Sequence, residues 1–195
     1  MKKNLFLLLL AITGSLSLSG QTLKLGLRDN QYGYAAYRFE NNFSIKLEHS
    51  LFTERIGYQY VKAFVGYEAN LKPIKINVEP YYGRTYNGSF YNLGGLISCT
   101  YPVTDILQLK GVVNPNYDSK FKYETCFGIE GQAKLLKDIS FVAEFTNVPE
   151  YRMKEDRVKL GLLFKVDQLW VKPCISLETK GAKTTRVLTS FEYTF

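Results

Sequence analysis

The sequence predicts an all-β fold: a closed, antiparallel, up-and-down transmembrane β-barrel of about 12 strands, or 10 if one hairpin is lost or merged. Three observations carry the prediction. Apolar and polar residues alternate with period two along nearly the whole chain after residue 20, and helical periodicity is hard to find. Many alternating segments run to roughly 9–13 residues, which meets the roughly 9–11 a strand needs to cross a bilayer and exceeds the usual 5–6. Aromatic residues, 15 Tyr and 13 Phe against one Trp, gather toward the segment ends, where an apolar ring with a wet hydroxyl suits a membrane interface.

The amino terminus is read first. Met1-Lys2-Lys3 is a basic start, residues 5–12 are apolar, and Ser15-Leu16-Ser17-Leu18-Ser19-Gly20 is rich in small residues. This is the layout of a cleaved secretory signal over residues 1–20, with cleavage before Gln21. The apolar run is shorter than the roughly 20 residues of a membrane helix. Residues 21–195 then form one domain. Loss of Lys2 and Lys3 lowers the formal charge from +7 to +5. No run of five like charges suggests a nucleic-acid tail, so no nucleic-acid partner is expected.

Alternation and turn residues place strands near 22–29, 32–40, 43–50, 56–68, 74–84, 90–101, 106–114, 121–134, 139–147, 157–166, 169–179 and 184–195. The clearest sets Phe121, Tyr123, Thr125, Phe127 and Ile129 against Lys122, Glu124, Cys126, Gly128 and Glu130. Tight turns fall at 41–42, 70–73, 102–105, 135–138 and 167–168. Longer connections fall at 86–89, 114–120 and 148–156, and Asn87-Gly88 is itself a hairpin signal. Pro80 and Pro173 lie mid-strand, where a missing N–H suggests a bulge or a strand end. A parity change between Tyr60 and Val61 also suggests a bulge.

The chain closes on Val187-Leu188-Thr189-Ser190-Phe191-Glu192-Tyr193-Thr194-Phe195, a period-two strand ending on an aromatic. With the export signal and the hairpins between, this resembles the Gram-negative outer-membrane β-barrel proteins. The resemblance implies an insertion signal at Phe191, Tyr193 and Phe195 read by the barrel-assembly machinery, a location in the outer membrane, and lipid as the surrounding partner. The Gln after the cleavage site and the Tyr/Lys/Asn-rich strands are similar in style to barrels from the Bacteroidota.

In such a barrel the apolar face meets lipid and the charged face meets the lumen. Interfacial aromatics are expected at Tyr58, Tyr81, Tyr82, Tyr86, Phe90, Tyr91, Tyr117, Phe121, Tyr123 and Tyr151 on the long-loop side. On the short-turn side they are expected at Phe39, Phe43, Tyr101, Phe141, Trp170, Tyr193 and Phe195. The lumen would receive Lys24, Arg28, Arg38, Lys46, Lys62, Lys75, Arg84, Lys110, Lys122, Lys134, Lys159, Lys165, Lys172 and Arg186. It would also receive Glu40, Glu48, Glu68, Glu79, Glu124, Glu130, Glu144, Glu178 and Glu192. The main candidate lining residues are Lys46, Lys62, Lys75, Lys110, Lys122, Glu124, Glu130 and Lys159.

That basic excess favours a narrow passive channel for small polar or anionic solutes. The alternative is a plugged structural or partner-binding barrel, its interior filled by ion-pair networks. A lipid hydrolase is the remaining class. Enzymes resembling that branch carry His and Ser two residues apart on the lipid face, but here the residue two beyond His49 is Leu51, and Ser50 has the opposite parity. No catalysis, cofactor or metal site is expected. Cys99, Cys126 and Cys174 form no ligand pattern with His49 and read as packing residues.

Overall fold

The computed structural model describes residues 21–51, 59–120, 122–147, 156–179 and 184–195; the predicted signal and most of the 148–156 loop lie outside them. Twelve strands follow in order: β1 (Thr22–Arg28), β2 (Tyr32–Arg38), β3 (Phe43–Ser50), β4 (Tyr60–Leu71), β5 (Ile74–Thr85), β6 (Tyr91–Pro102), β7 (Leu107–Asp118), β8 (Lys122–Leu136), β9 (Ile139–Thr146), β10 (Arg157–Val166), β11 (Leu169–Glu178) and β12 (Thr185–Thr194). Each pairs antiparallel with its sequence neighbours, and β1 pairs with β12 from Lys24↔Thr194 to Leu27↔Phe191, closing the barrel. The count is therefore 12, not 10.

The hairpin ends follow from residues that tolerate the left-handed backbone region. Asp29 and Asn30 have φ of 53° and 59°, and the Gln31 N–H donates to the Arg28 carbonyl at 3.0 Å. Two positive central φ values make a type I′ turn, whose twist matches the flanking strands. Gly88 (φ 71°) turns the β5–β6 loop, and its N–H donates to the Thr85 carbonyl at 3.0 Å. On the opposite side Asn42 (φ 66°) and Asp167 (φ 51°) shape two of the short turns.

Three expectations about the strands are corrected. The segment 114–120 is not a loop, because β7 continues to Asp118. Its polar residues Asn114, Asn116 and Asp118 are buried and point inward, so polarity here marks the lumen face. Pro80 and Pro173 produce neither a bulge nor a strand end. The β4–β5 ladder lacks the positions opposite Pro80 between Phe64↔Tyr81 and Tyr67↔Val78, yet the register on both sides is the same. Pro173 interrupts the β10–β11 ladder in the same way. The missing N–H removes a bond without inserting a residue. Finally, Tyr60, Lys62, Phe64 and Gly66 share one buried face, so described β4 has no bulge. A register shift does occur in β8, between Lys134 and Leu136.

The two faces are inverted relative to a soluble protein. Outward positions such as Ile45, Leu47, Val65, Ile97, Val113, Ile129, Ile175 and Val187 are exposed, and the charged Glu48, Lys62, Arg157, Lys159 and Glu192 are buried. A continuous apolar exterior of this extent is foreign to soluble monomers. Tyr82, Tyr86, Tyr91, Tyr117 and Tyr123 are exposed toward the long-loop side; Phe39, Phe43, Tyr101, Phe141, Tyr193 and Phe195 are exposed toward the short-turn side. Tyr81, Phe90 and Trp170 do not join these bands. Tyr81 and Phe90 are buried, and the Trp170 indole donates inward to Glu192 at 3.0 Å. Tyr58, Phe121 and Tyr151 lie outside the described residues.

Candidate functional site

Alternation along twelve strands turns one residue in two toward a common interior, and among the described residues two adjoining charged chambers lie along it. The one nearer the short turns has a volume of about 440 Å³; the one nearer the long loops has about 300 Å³. They share the lining residues Arg28, Lys46, Glu48, Glu79, Lys110, Glu130, Glu144 and Lys159, so the two chambers adjoin at this waist. Their charge differs. Seven basic and seven acidic side chains line the short-turn chamber, whereas six basic and four acidic ones line the other. The basic excess read from the whole chain is thus concentrated in the long-loop half.

The ions fall into two groups by distance. Five cations are locked to carboxylates at hydrogen-bond range. These are Lys24–Glu192 (2.8 Å), Arg28–Glu48 (2.8 Å), Arg38–Glu68 (2.8 Å), Lys75–Glu68 (2.9 Å) and Lys159–Asp29 (2.7 Å). Others are held loosely, beyond the usual 2.7–3.2 Å or so. Lys46 stands 3.5 Å from Glu79 with its ammonium 3.9 Å above the Phe64 ring, and Lys172 stands 3.6 Å from Glu130 and 3.9 Å from Glu144. Lys110 lies opposite Glu130 in the ladder and makes no ion pair among the described residues. Loosely held and unpaired cations remain available to a passing anion; locked ones are occupied.

Large side chains in the interior lie along the wall. The Tyr34 ring covers Gly26 on β1, the Tyr60 ring covers Gly83 on β5, and the Tyr81 ring covers Gly94 on β6. A Cβ at Gly94 would stand 2.6 Å from the Tyr81 hydroxyl and 2.7 Å from the Pro115 carbonyl, so only glycine leaves room for the ring. Each phenol is then tied down: Tyr34 donates to Glu192 at 2.7 Å, Tyr60 to Asn92, and Tyr81 to Asn116 at 3.0 Å. Rings held flat over glycines line the lumen without crossing it.

The sequence candidates are distributed as follows. Lys46, Lys110, Glu130 and Lys159 lie at the waist, and Lys62 lines the long-loop chamber. Lys75 pairs with Glu68 near the short-turn end, Lys122 sits exposed at the start of β8, and Glu124 is half-buried opposite Asn116. Arg84 is corrected: it faces outward with Tyr82, because parity runs unbroken through Pro80. Glu40 is corrected too, since it sits exposed in the β2–β3 turn. Sequence reasoning missed Asp29, which folds inward from its turn to meet Lys159, its N–H donating to the Ser190 hydroxyl at 2.9 Å. It also missed Trp170 as a lumen residue, although Trp170 and Lys172 share a parity.

His49 lies on the outward face 5.6 Å from the Tyr86 ring, while the buried Ser50 hydroxyl accepts the Tyr60 N–H at 2.8 Å. The two side chains therefore sit on opposite faces of β3. Cys126 and Cys174 are buried and face the interior; Cys99 is exposed on the outer face and is not a packing residue.

No protein-family model and no curated protein sequence matches the chain. Solved structures do match in fold. The KdgM porin is 17% identical, with a TM-score of 0.58 over 90% of this chain and 98% of that one. The NanC porin is 11% identical, with a TM-score of 0.55 over 89% of this chain and 97% of that one.

Proposed function

We propose that this chain is a small outer-membrane barrel of a Gram-negative, Bacteroidota-type envelope, forming a narrow passive channel for small polar solutes with a preference for anions. The observation that carries the reading is the pair of adjoining charged chambers in the lumen, with their waist cation Lys110 unpaired among the described residues. An interior built purely as a plug would pair each of its charges, since an unpaired buried ion is costly. A wet passage tolerates such a cation. The apolar exterior supports placement in lipid, and the likeness to two structures titled porins supports the channel. Residues 1–20 act as the export signal, and Phe191, Tyr193 and Phe195 act as the signal for insertion. The reading invokes no catalytic step.

The test is single-channel recording in a planar bilayer with the refolded mature chain, using heat-modifiable gel migration as the folding control. Discrete openings with anion preference are expected. A barrel that is folded and silent would overturn the channel and favour the plugged structural alternative.

A further inference from the structure

We infer that the long-loop-side chamber binds a small organic anion with an apolar body, the class of a monocyclic carboxylate. The inference rests on the channel reading for the route by which the solute arrives, and it deepens that reading by naming what the passage retains. One wall of the chamber is apolar. Leu96 on β6 and Val112 on β7 point into the lumen, half-buried, while Phe64 in the same lining is buried beneath the Lys46 ammonium. Aliphatic side chains facing a wet polar lumen gain only if something apolar covers them.

The other requirement is an available cation, and Lys110 supplies it two residues from Val112 on the same face of β7. Lys46 lines the same chamber from β3, loosely held by Glu79 at 3.5 Å. The carboxylates that would repel an anion are partly engaged: Glu48 is locked on Arg28, and Glu130 and Glu144 face Lys172. The six-to-four excess of basic groups in this chamber leaves it net positive. At about 300 Å³ it meets the lower end of the roughly 300–1,000 Å³ of small-molecule pockets, room for a single ring and too little for a large polymer. An ammonium paired with an apolar patch selects for both halves of such a molecule, and either half alone satisfies one wall only.

The experiment is calorimetric titration of the refolded barrel in lipid nanodiscs with benzoate, cyclohexanecarboxylate, acetate and benzamide, with empty nanodiscs subtracted. Benzoate and cyclohexanecarboxylate are expected to bind about tenfold or more tightly than acetate or benzamide. Lys110→Gln is expected to weaken benzoate about tenfold and Lys110→Arg to restore it, as the loss of one charge-assisted contact implies. Leu96→Ser should weaken benzoate and leave acetate unchanged. Acetate binding as tightly as benzoate, or benzoate indifferent to Lys110→Gln in a heat-modifiable barrel, would overturn the inference. A conducting barrel that binds none of the four would also overturn it while leaving the channel standing. A silent barrel that binds benzoate would remove the channel and leave the site.

Discussion

Replacement of Glu192 by alanine should open the barrel at its seam. The β1–β12 ladder that closes the sheet spans only Lys24 to Leu27 on one strand. Glu192 reinforces it from inside, because its carboxylate accepts from Lys24 on β1 (2.8 Å), Tyr34 on β2 (2.7 Å) and Trp170 on β11 (3.0 Å). Four consecutive strands of the closed order meet at one side chain. Glu192→Ala leaves the Tyr34 hydroxyl and the Trp170 N–H without their acceptor, at about 1.5–3 kcal/mol for each charge-assisted bond. Lys24 is 39% exposed, so its pair adds about 0–1 kcal/mol. Because bonds sharing one acceptor are not additive, the total expected is about 3–5 kcal/mol. Glu68→Ala is the internal comparison: its partners Arg38 and Lys75 are 37% and 47% exposed, and the loss should stay near 1 kcal/mol. Equilibrium urea unfolding in detergent micelles, followed by tryptophan fluorescence, measures both. Equal losses for the two variants, or a Glu192→Ala barrel within about 1 kcal/mol of wild type, would refute the reasoning.

Other outcomes follow from the same geometry. Lys110→Glu should move channel selectivity toward cations, read as a reversal-potential shift under a salt gradient, with a stability loss of about 1 kcal/mol from the like charge of Glu130 opposite it. Lys159→Glu should instead destabilise the fold by about 3–5 kcal/mol, because it places a second acid against the buried Asp29, and the urea midpoint should fall accordingly. Gly94→Val should drive the Tyr81 ring off the wall and lower the unit conductance; unchanged conductance would contradict the wall-flat arrangement. Deleting Phe195, whose N–H donates to the Leu23 carbonyl at 2.8 Å across the seam, should reduce the fraction of chain recovered as heat-modifiable barrel after expression.

Much of the fold was legible because a barrel with a polar interior writes its topology as plain alternation. All twelve strands lie within about four residues of their expected ends at both termini, and the short turns fall where Asn, Asp and Pro cluster. The misreadings share one cause. Proline and polar runs read locally as interruptions, although Pro80 and Pro173 sit in uninterrupted strands and Asn114, Asn116 and Asp118 are lumen groups. With no bulge at Pro80, Arg84 keeps the outward parity of Tyr82. Aromatic type alone suggests the interface, yet Tyr81 shares the parity of Glu79 and Trp170 that of Lys172, and parity places both inside. The candidate site was legible as a set of charges and no further. Locked and free lysines differ by the sequence-distant partner each one meets: Asp29 reaches Lys159 across 130 positions, and no local pattern encodes that meeting.

The inverted architecture itself is tested most directly by the single tryptophan. Trp170 faces the short-turn chamber beside Glu192, and the chain has no other Trp to confuse the signal. Its fluorescence should be recorded for the folded protein in liposomes, with aqueous iodide in one series and brominated lipids in the other. A wet lumen predicts strong quenching by iodide and little by the brominated acyl chains. Quenching by the lipids with protection from iodide would place the indole on the outer face and contradict the water-filled interior.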